Sequence, residues 1–318
     1  MGEFDFIARL QQRLLQQPKR FGVDIGIGDD GAVLSPPPDQ RIVVTSDTLN
    51  AGVHFPTTTG AFDIGYKTLA VNLSDLAAMG ADPWTCTLNV TLPHMDAVWM
   101  DAWMDGFFAA ADLAGITLIG GDTTSGPMAF TVTAMGLLPT HSSGLRRANA
   151  LLGDDVWVSG CLGDAALALR LLPDVHGELL ERLNRPLPRL ALGLALRDLK
   201  EIGGCCDVSD GLLQDVEHIA KASHVRIEIE ADRIPMSGAV KHHPQALQLA
   251  LAGGDDYELV FTAGKSMRNA LAAISDRIGV QLTRIGTVFA GDSQVTVVDA
   301  NGRYVPMAGR GFDHFATN

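Results

Sequence analysis

Apolar residues recur at helical spacing in some segments of this chain and form strand-like runs in others, and the two kinds of segment alternate. This alternation predicts an α/β fold, in which helices cover sheets. The helices predicted in the first half are residues 4–17, 63–79 and 99–112, and the strands are residues 41–47, 117–119 and 130–138.

A second α/β pattern begins at Val156, after the polar stretch 141–149. The predicted helices of this half are residues 165–172, 189–202 and 212–223, the strands are 156–159, 226–230 and 257–262, and a hairpin starting at 295 turns at Asn301–Gly302. A chain of 318 residues is long enough for two domains, each with its own core. We therefore expect one domain over residues 1–150 and another over 151–318.

Composition excludes several classes of protein. Hydrophobic residues make up 47% of the chain and charged residues 19%, which is typical of a globular protein and not of a disordered one. Its apolar runs are shorter than the ~20 residues that a membrane helix needs, so we expect no membrane partner. The acidic N-terminal residues do not resemble a signal peptide. The four cysteines include no C-x-x-C pair, which favours buried free thiols and a cytoplasmic location.

The formal net charge of −13 limits the choice of ligand. Nucleic-acid backbones are bound mainly by lysine and arginine, so we expect no nucleic-acid partner. The same charge disfavours unaided binding of a polyphosphate. An anionic ligand would therefore need divalent cations between its phosphates and the protein.

The segment GIGDDG, residues 26–31, matches the dinucleotide fingerprint G-x-G-x-x-G by its letters. A true fingerprint opens a helix whose N-terminus faces a pyrophosphate. Here Gly31 leads into an apolar run and then three prolines, and Asp29 and Asp30 would repel the pyrophosphate. The segment 60–68 is a near miss to the P-loop, with Tyr66 inserted before Lys67 and a helical pattern running through it. Both nucleotide motifs are therefore excluded.

Carboxylates recur among Gly, Ser and Thr beside apolar stretches, at 28–30, 45–47, 72–75, 120–122, 207–210 and 253–256. Asp supplies the hard oxygen ligands that Mg²⁺ prefers, and Ser and Thr add neutral oxygens. Any single Gly-Asp pair also fits a turn or a helix cap, and this alternative stays open. Asp75 is different, because within a helix it lies with Asn72 on the flank of the leucine stripe, where a carboxylate needs a partner. The pattern favours a multi-metal phosphate site.

Several blocks are recognisable together: GIGDDGAVL, TSDTLNAGVHF, YKTLAVNLSDLAAMGADP, LIGGDTTSGP, DVSDGLLQD, AGGDDYELVFT and GFDHF. In this order they resemble the thiamine-monophosphate kinase family, part of the aminoimidazole ribonucleotide synthetase-like superfamily. The resemblance implies an N-terminal α/β domain that dimerises through its sheet and a C-terminal α/β domain that completes the cleft for ATP and substrate. It also implies that ATP is held through several Mg²⁺ ions and that GIGDDG is a metal-holding loop.

The resemblance assigns candidate residues by position. Metal ligands would be Asp30, Thr45, Ser46, Asp47, Asp75, Asp122, Asp207 and Asp210, of which Asp47, Asp75 and Asp210 would be central to catalysis. Nucleotide contacts would be Gly121, Asp122, Arg147 and Ser209. Substrate contacts would be His54, Asp255 and Phe312. Two positions depart from the family pattern, since Asp255 replaces the more usual Glu and Phe312 stands where Tyr or Trp is common. Taken alone, His54, Arg147, Asp255 and Phe312 would also fit structural roles.

The implied reaction transfers a phosphoryl group from ATP to thiamine monophosphate and yields thiamine diphosphate, in a homodimeric enzyme. The acceptor is a phosphate monoester, largely ionised at neutral pH because its second pKa is ~6, so no general base is required. Selenophosphate synthetases and hydrogenase-maturation proteins of the same superfamily are disfavoured, since no cysteine precedes Cys86 and the printed sequence ends in Ala-Thr-Asn. A non-enzymatic module that binds metal or nucleotide stays open. Thermal stabilisation by thiamine monophosphate would distinguish the kinase from it.

Overall fold

The structure is a computed structural model that describes residues 2–15, 21–309 and 311–312. The chain divides into two compact units. Unit 1 comprises Met1–Leu76 and Ala81–Ser143, and unit 2 comprises Ala77–Gly80 and Gly144–Asn318. Among the described residues, none of the helices combines the length and the apolar character needed to cross a bilayer.

Unit 1 combines helices with a mixed sheet. Its elements are α1 (Glu3–Leu14), β1 (Val23–Ile25), β2 (Val33–Leu34), β3 (Gln40–Asn50), α2 (Ala61–Ala78), β4 (Asp82–Leu92), α3 (Ala97–Ala114), β5 (Thr117–Ser125) and β6 (Ala129–Pro139). Over residues 40–139, four strands form a sheet in the order β3-β6-β4-β5, with β3 and β5 at its two edges. The β4–β5 pair is parallel, and the other two pairs are antiparallel.

One face of this sheet is apolar and the other is polar, because side chains alternate along a strand. Phe130, Val132 and Ala134 of β6 are fully buried, whereas Thr131 and Thr133 between them are partly exposed. Helices α2 and α3 approach each other closely, at two glycines. A Cβ on Gly65 would lie 2.0 Å from the Trp103 carbonyl oxygen, and one on Gly106 would lie 1.8 Å from that of Phe62. Only glycine permits this approach.

GIGDDG lies in the connection between β1 and β2, which pair as an antiparallel hairpin. A strand follows the segment where a dinucleotide fold would have a helix, so the exclusion of the dinucleotide fingerprint is confirmed. The near miss to the P-loop lies in α2, whose helix continues through Gly65 and Lys67. The exclusion of a P-loop is confirmed as well.

Unit 2 is built on a larger sheet. Its elements are β7 (Asp155–Ser159), α4 (Asp164–Leu171), α5 (Glu178–Asn184), α6 (Leu190–Arg197), β8 (Ile202–Asp207), α7 (Leu212–Ser223), β9 (Arg226–Glu230), α8 (Gly238–Lys241), α9 (Ala246–Ala252), β10 (Leu259–Ala263), α10 (Arg268–Ile278), β11 (Leu282–Phe289) and β12 (Gln294–Val298). Within residues 144–309, six strands follow the order β12-β9-β11-β7-β10-β8. The loop that leaves the edge strand β8 leads directly into α7.

The observed elements confirm the α/β prediction and correct some boundaries. The helix predicted over 189–202 is wrong at its end, since α6 stops at Arg197 and residue 202 opens β8. Strand β8 was missed because the Gly203–Gly204 pair is not typical of a strand. The fold requires both glycines, since a Cβ at 203 would collide with Thr262 and a Cβ at 204 with Ile219. The strand predicted over 257–262 begins only at Leu259, because Tyr257 has a left-handed φ of 50°. Strands β1, β2, β4, β8 and β11 had no counterpart among the predicted strands. The end of the first predicted helix, residues 16 and 17, lies outside the described residues.

The predicted turn at Asn301–Gly302 is confirmed, and the predicted burial of the free cysteines is confirmed for three of the four. Gly302 donates to the Asp299 carbonyl at 2.9 Å, and a single bridge joins Val298 to Tyr304. Cys86, Cys205 and Cys206 are buried free thiols, and Cys161 is a half-buried one.

Candidate active site

The edge strand β3 carries two candidate residues on the face that meets α2. Thr45 donates its hydroxyl to Asp75 of α2. The backbone N–H of Asp47 donates to Asn72 Oδ1 at 3.1 Å. Asp75 therefore has the partner that its position beside the leucine stripe required. The structure brings Thr45 into contact with Asp75 and joins the Asp47 backbone to Asn72, one helical turn before Asp75. Carboxylate and hydroxyl oxygens of this kind are ligands that Mg²⁺ prefers.

Asn72 holds this corner in place from inside the core. Its side chain is fully buried among α2 leucines that are also fully buried. A buried amide must have hydrogen-bond partners. Asn72 satisfies this by accepting from Asp47 and by donating Nδ2 to the Thr68 carbonyl at 3.3 Å. The sequence pattern placed Asn72 beside Asp75 but gave it no role, since its partner lies on a distant strand.

Strand alternation sends Ser46 to the opposite, open face of the same sheet. Its hydroxyl lies 3.0 Å from Thr133 Oγ1 and donates to the Val132 carbonyl at 3.0 Å. Thr48 and Thr131 repeat this pairing two residues along, with their hydroxyls 2.8 Å apart. Ser46 and Thr45 therefore direct their hydroxyls to different faces, although both are candidate ligands.

Gly121 and Asp122 lie on β5, at the other edge of the sheet. Gly121 has φ 146°, and a Cβ there would stand 1.7 Å from the Leu88 carbonyl oxygen, so only glycine fits. The register places Asp47, Val132, Leu88 and Gly121 in one row across the four strands. At about 4.8 Å per strand, Asp47 and Gly121 are roughly 14 Å apart along the sheet. The sheet does not bring Asp122 into the group formed by Thr45, Asp47 and Asp75.

Asp30 and His54 lie in loops of unit 1. Asp30 is exposed in the β1–β2 loop, where its N–H donates to Asp29 Oδ1 at 2.9 Å. His54 is half-buried, and its Nδ1 accepts the Asn50 N–H at 3.0 Å. This bond fixes Nε2 as the nitrogen that carries the proton in the neutral ring.

In unit 2, Asp207, Ser209 and Asp210 lie where β8 ends and α7 begins. A further acid, Asp215 of α7, organises this loop. Its Oδ2 accepts the backbone N–H groups of Ser209 at 3.1 Å, Asp210 at 3.2 Å and Gly211 at 3.1 Å. A phosphate could otherwise use these donors, as in P-loops. Because Asp215 occupies them, the loop has its side-chain oxygens rather than its amides to offer a ligand.

The charges around α7 favour a cation. Burial raises the pKa of the Asp215 carboxyl well above its usual range, and the charges of Asp207 and Asp210 raise it further. Ligand atoms of Asp210, Asp215 and His218 all lie within 4.8 Å of one another. Burial lowers the pKa of His218, as does the nearby positive charge of Arg147. Arg147 is exposed and close enough to act on this group electrostatically.

The substrate candidates of unit 2 are bonded to the same loop. The Asp255 N–H donates to the Ser209 carbonyl at 2.8 Å, and the Phe312 N–H donates to the Asp210 carbonyl at 2.9 Å. Gln214 of α7 donates to both Asp210 Oδ2 and the Phe312 carbonyl at 3.0 Å. Asp255 has the left-handed φ of 62°, and its Oδ1 accepts the Tyr257 hydroxyl at 3.1 Å. The structure thus joins Ser209, Asp210, Asp255 and Phe312 in one network.

Sequence reasoning assigned no role to Asp215, Gln214 or Tyr257. Asp215 closes the quoted block DVSDGLLQD, and an acid in the first turn of a predicted helix is a signal for binding the N-terminal amides. Gln214 and Tyr257 gave no such signal, since their partners Phe312 and Asp255 are set by the fold.

Two domain models of one protein family match this chain. The family model for the AIR synthase related protein N-terminal domain matches residues 28–138, and the C-terminal domain model matches residues 153–299. Thiamine-monophosphate kinase of Salmonella typhimurium is 42% identical over 99% of this chain and 99% of its own length.

Solved structures are also similar. The crystal structure of thiamine-monophosphate kinase from Stenotrophomonas maltophilia is 48% identical, with a TM-score of 0.86 over 96% of this chain and 98% of that one. AaThiL complexed with AMPPCP and TMP is 29% identical, with a TM-score of 0.76 over 99% of this chain and 97% of its own. The chain belongs to the AIR synthase related family and, within it, to the thiamine-monophosphate kinases.

Replacing Thr45 by Val should weaken Mg²⁺ binding about tenfold, the lower end of what loss of a partner to a metal ligand causes. The change removes both the Thr45 oxygen and the hydrogen bond to Asp75. Calorimetric titration of Mg²⁺ in the presence of ATP measures the effect. Thr48→Val is the matched control, because that hydroxyl bonds Thr131 on the open face. Equal Mg²⁺ affinities in the two variants would contradict the assignment.

Proposed function

We propose that this chain transfers the γ-phosphoryl group of ATP to thiamine monophosphate, yielding ADP and thiamine diphosphate, the last step of thiamine diphosphate biosynthesis. Membership of the thiamine-monophosphate kinases supports this activity. The single structural observation that carries it is the α7 loop, where Asp215 accepts the backbone amides of Ser209, Asp210 and Gly211, so that a metal-bound phosphate would meet side-chain oxygens there instead.

The donor sets fit Mg²⁺, because they consist of carboxylate and hydroxyl oxygens. The residues that would hold the ions are Asp30, Thr45, Asp47, Asp75, Asp122, Asp207 and Asp210, whereas the predicted ligand Ser46 directs its hydroxyl to the opposite face of the sheet from Thr45. When bound, Mg²⁺ neutralises phosphate charge and holds the donor and acceptor oxygens in line. We assign the central ligand roles to Asp47, Asp75 and Asp210. The crowding of Asp207, Asp210 and Asp215 supports a cation at that loop.

The remaining assignments follow the chemistry of the two substrates. The family resemblance assigns a nucleotide contact to Gly121, and Arg147 and Ser209 offer donors to phosphate. Asp255 places a carboxylate where it can meet the cationic thiazolium, and Phe312, about half exposed, offers a ring for stacking. His54 contributes Nε2–H as a hydrogen-bond donor.

Transfer is direct in this proposal, without a covalent phospho-enzyme. The acceptor is a phosphate monoester whose second pKa is ~6, so its attacking oxygen is already ionised and needs no general base. The residues act by binding and aligning two polyanions. The buried free thiols suit a reducing compartment, and we place the reaction in the cytoplasm.

Purified protein should convert thiamine monophosphate and ATP to thiamine diphosphate, with excess EDTA abolishing the reaction. Asp47→Asn should lower kcat/KM at least ~100-fold, since it removes a metal-binding charge. Chromatography of the product measures both effects. Acid quench during turnover with γ-labelled ATP should leave the protein unlabelled.

The matched control for this assay is Asp63→Asn, an acid in the first turn of α2 outside the candidate set. It should retain wild-type activity. Folded wild-type protein that binds ATP but forms no thiamine diphosphate would contradict the proposal. It would leave a metal- or nucleotide-binding module as the function.

We also propose that the chain acts as a homodimer through the open face of the unit 1 sheet. Alternation places Ile42 and Val44 of β3 on this face with Ser46, and their side chains are 42% and 60% exposed. Exposed apolar side chains on a sheet are typical of an interface. The family resemblance implies a dimer formed by this sheet.

Val44→Glu should convert the dimer to a monomer, because it places a charge in the apolar part of that interface. Sedimentation equilibrium should give twice the 33.8 kDa chain mass for the wild type and 33.8 kDa for the variant. Val98→Glu is the control, since Val98 is an exposed apolar side chain on α3. A monomeric wild type, or a Val44→Glu dimer, would refute the interface.

A further inference from the structure

Asp215 is the least exposed acid of the α7 loop region, with 2% of its surface accessible, and it does not belong to the candidate ligand set. It sits in the first turn of α7, yet its carboxylate bonds backward to the residues that precede the helix. One oxygen, Oδ2, accepts the N–H groups of Ser209, Asp210 and Gly211. Three bonds to consecutive amides fix the backbone of this loop in one conformation.

The residue at the N-cap of α7, Gly211, makes no side-chain hydrogen bond of its own. Gly211 precedes the helix and lacks a side chain that could cap it, and its φ of 130° is available only to glycine. Asp215 therefore supplies the hydrogen-bond acceptor that the N-terminal amides of a helix need. Without that partner, these amides would be left to water or to an anionic ligand.

The carbonyl side of the loop is tied as well. Ser209 O accepts from Asp255 N–H at 2.8 Å and Asp210 O from Phe312 N–H at 2.9 Å. Any shift of the Ser209–Gly211 backbone would therefore move two substrate candidates together with the ligand candidates. The amide bonds to Asp215 determine the position of the whole network, because they attach the loop to the buried side of α7.

We propose that Asp215 is a positioning residue that fixes the Ser209–Gly211 backbone so that the side chains of Ser209 and Asp210 meet Mg²⁺ and nucleotide. The identity of these ligands rests on the proposed function. In this assignment Asp215 acts through its amide bonds, although one of its carboxylate oxygens also lies within 4.8 Å of ligand atoms of Asp210 and His218. Positioning groups behind metal ligands change metal affinity about 10- to 100-fold when they are removed.

The test compares Asp215→Leu, which removes the acceptor, with Asp215→Asn, which keeps a neutral one. Asp154→Asn is the matched control in unit 2, since Asp154 is 6% exposed and accepts from Leu151 N–H at 2.9 Å and Thr262 Oγ1 at 3.2 Å. Kinase rates are measured over a range of Mg²⁺ at saturating ATP and thiamine monophosphate. Circular dichroism monitors folding of each variant.

Asp215→Leu should raise the Mg²⁺ concentration for half-maximal rate at least ~10-fold while kcat at saturating Mg²⁺ changes less than about threefold. Asp215→Asn should give a smaller rise, because its amide oxygen still accepts. Asp154→Asn should match the wild type in both quantities. If Asp215→Leu does not fold, the rise in Asp215→Asn relative to Asp154→Asn decides the matter.

An unchanged Mg²⁺ requirement in the folded Asp215 variants, or an equal rise in Asp154→Asn, would overturn the positioning role. A wild type that makes no thiamine diphosphate would refute the proposed function but not this inference. In that case, calorimetry with Mg²⁺ and ATP tests the inference alone. Weaker binding in Asp215→Asn than in Asp154→Asn supports it, and equal binding refutes it.

Discussion

Repulsion between carboxylates and phosphates is the constraint on which this account depends. The chain carries a formal net charge of −13. Its candidate site residues are largely aspartates, and the proposed substrates, ATP and thiamine monophosphate, are anions as well. Unit 1 gathers Asp47 and Asp75 with Thr45, and unit 2 gathers Asp207, Asp210 and Asp215. Such groups are stable next to phosphate only when cations lie between them. Divalent metal is therefore part of the binding chemistry in this proposal.

The backbone amides at the start of α7 also favour phosphate binding through metal. Many nucleotide-binding proteins cradle phosphate with amides at a helix N-terminus, and α7 offers the same geometry. Here Asp215 occupies three of these amides. The dinucleotide-like segment GIGDDG likewise opens no helix and lies in a hairpin connection. In both places, side-chain oxygens take the role that backbone amides have in those proteins. Under the proposed function, the protein would recognise phosphate through the metal ions that its aspartates bind.

Much of the fold could be predicted because its signals are local. The helical period placed Asp75 and Asn72 on one flank of α2, and the structure confirms that this flank meets polar partners. The strands β4 and β11 escaped prediction because threonines, together with Asn89 in β4 and with Arg284 and Gly286 in β11, interrupt their apolar runs. The helix predicted to reach residue 202 ran past Arg197 for a related reason, since a strand follows with two glycines.

The site was less predictable, since its contacts join distant segments. Ser46 was grouped with Thr45 and Asp47 as a metal candidate, although alternation along β3 directs its hydroxyl to the opposite face. Asp255 and Phe312 bond to the α7 loop, although they lie 45 and 102 residues beyond Asp210 in the chain. Asp215 was visible as an acid in a first helical turn. Its three bonds to the loop could not be predicted, because they depend on the positive φ of Gly211, which turns the loop back towards α7.

The most direct measurement is the affinity for ATP of the wild type and of Asp210→Asn, each by calorimetry in excess Mg²⁺ and in excess EDTA. If carboxylates hold phosphate through metal, the substitution should weaken ATP binding with Mg²⁺ and strengthen it without metal, because it removes both a ligand and a repelling charge. A substitution that shifts the affinity in the same direction under both conditions would contradict metal-mediated binding.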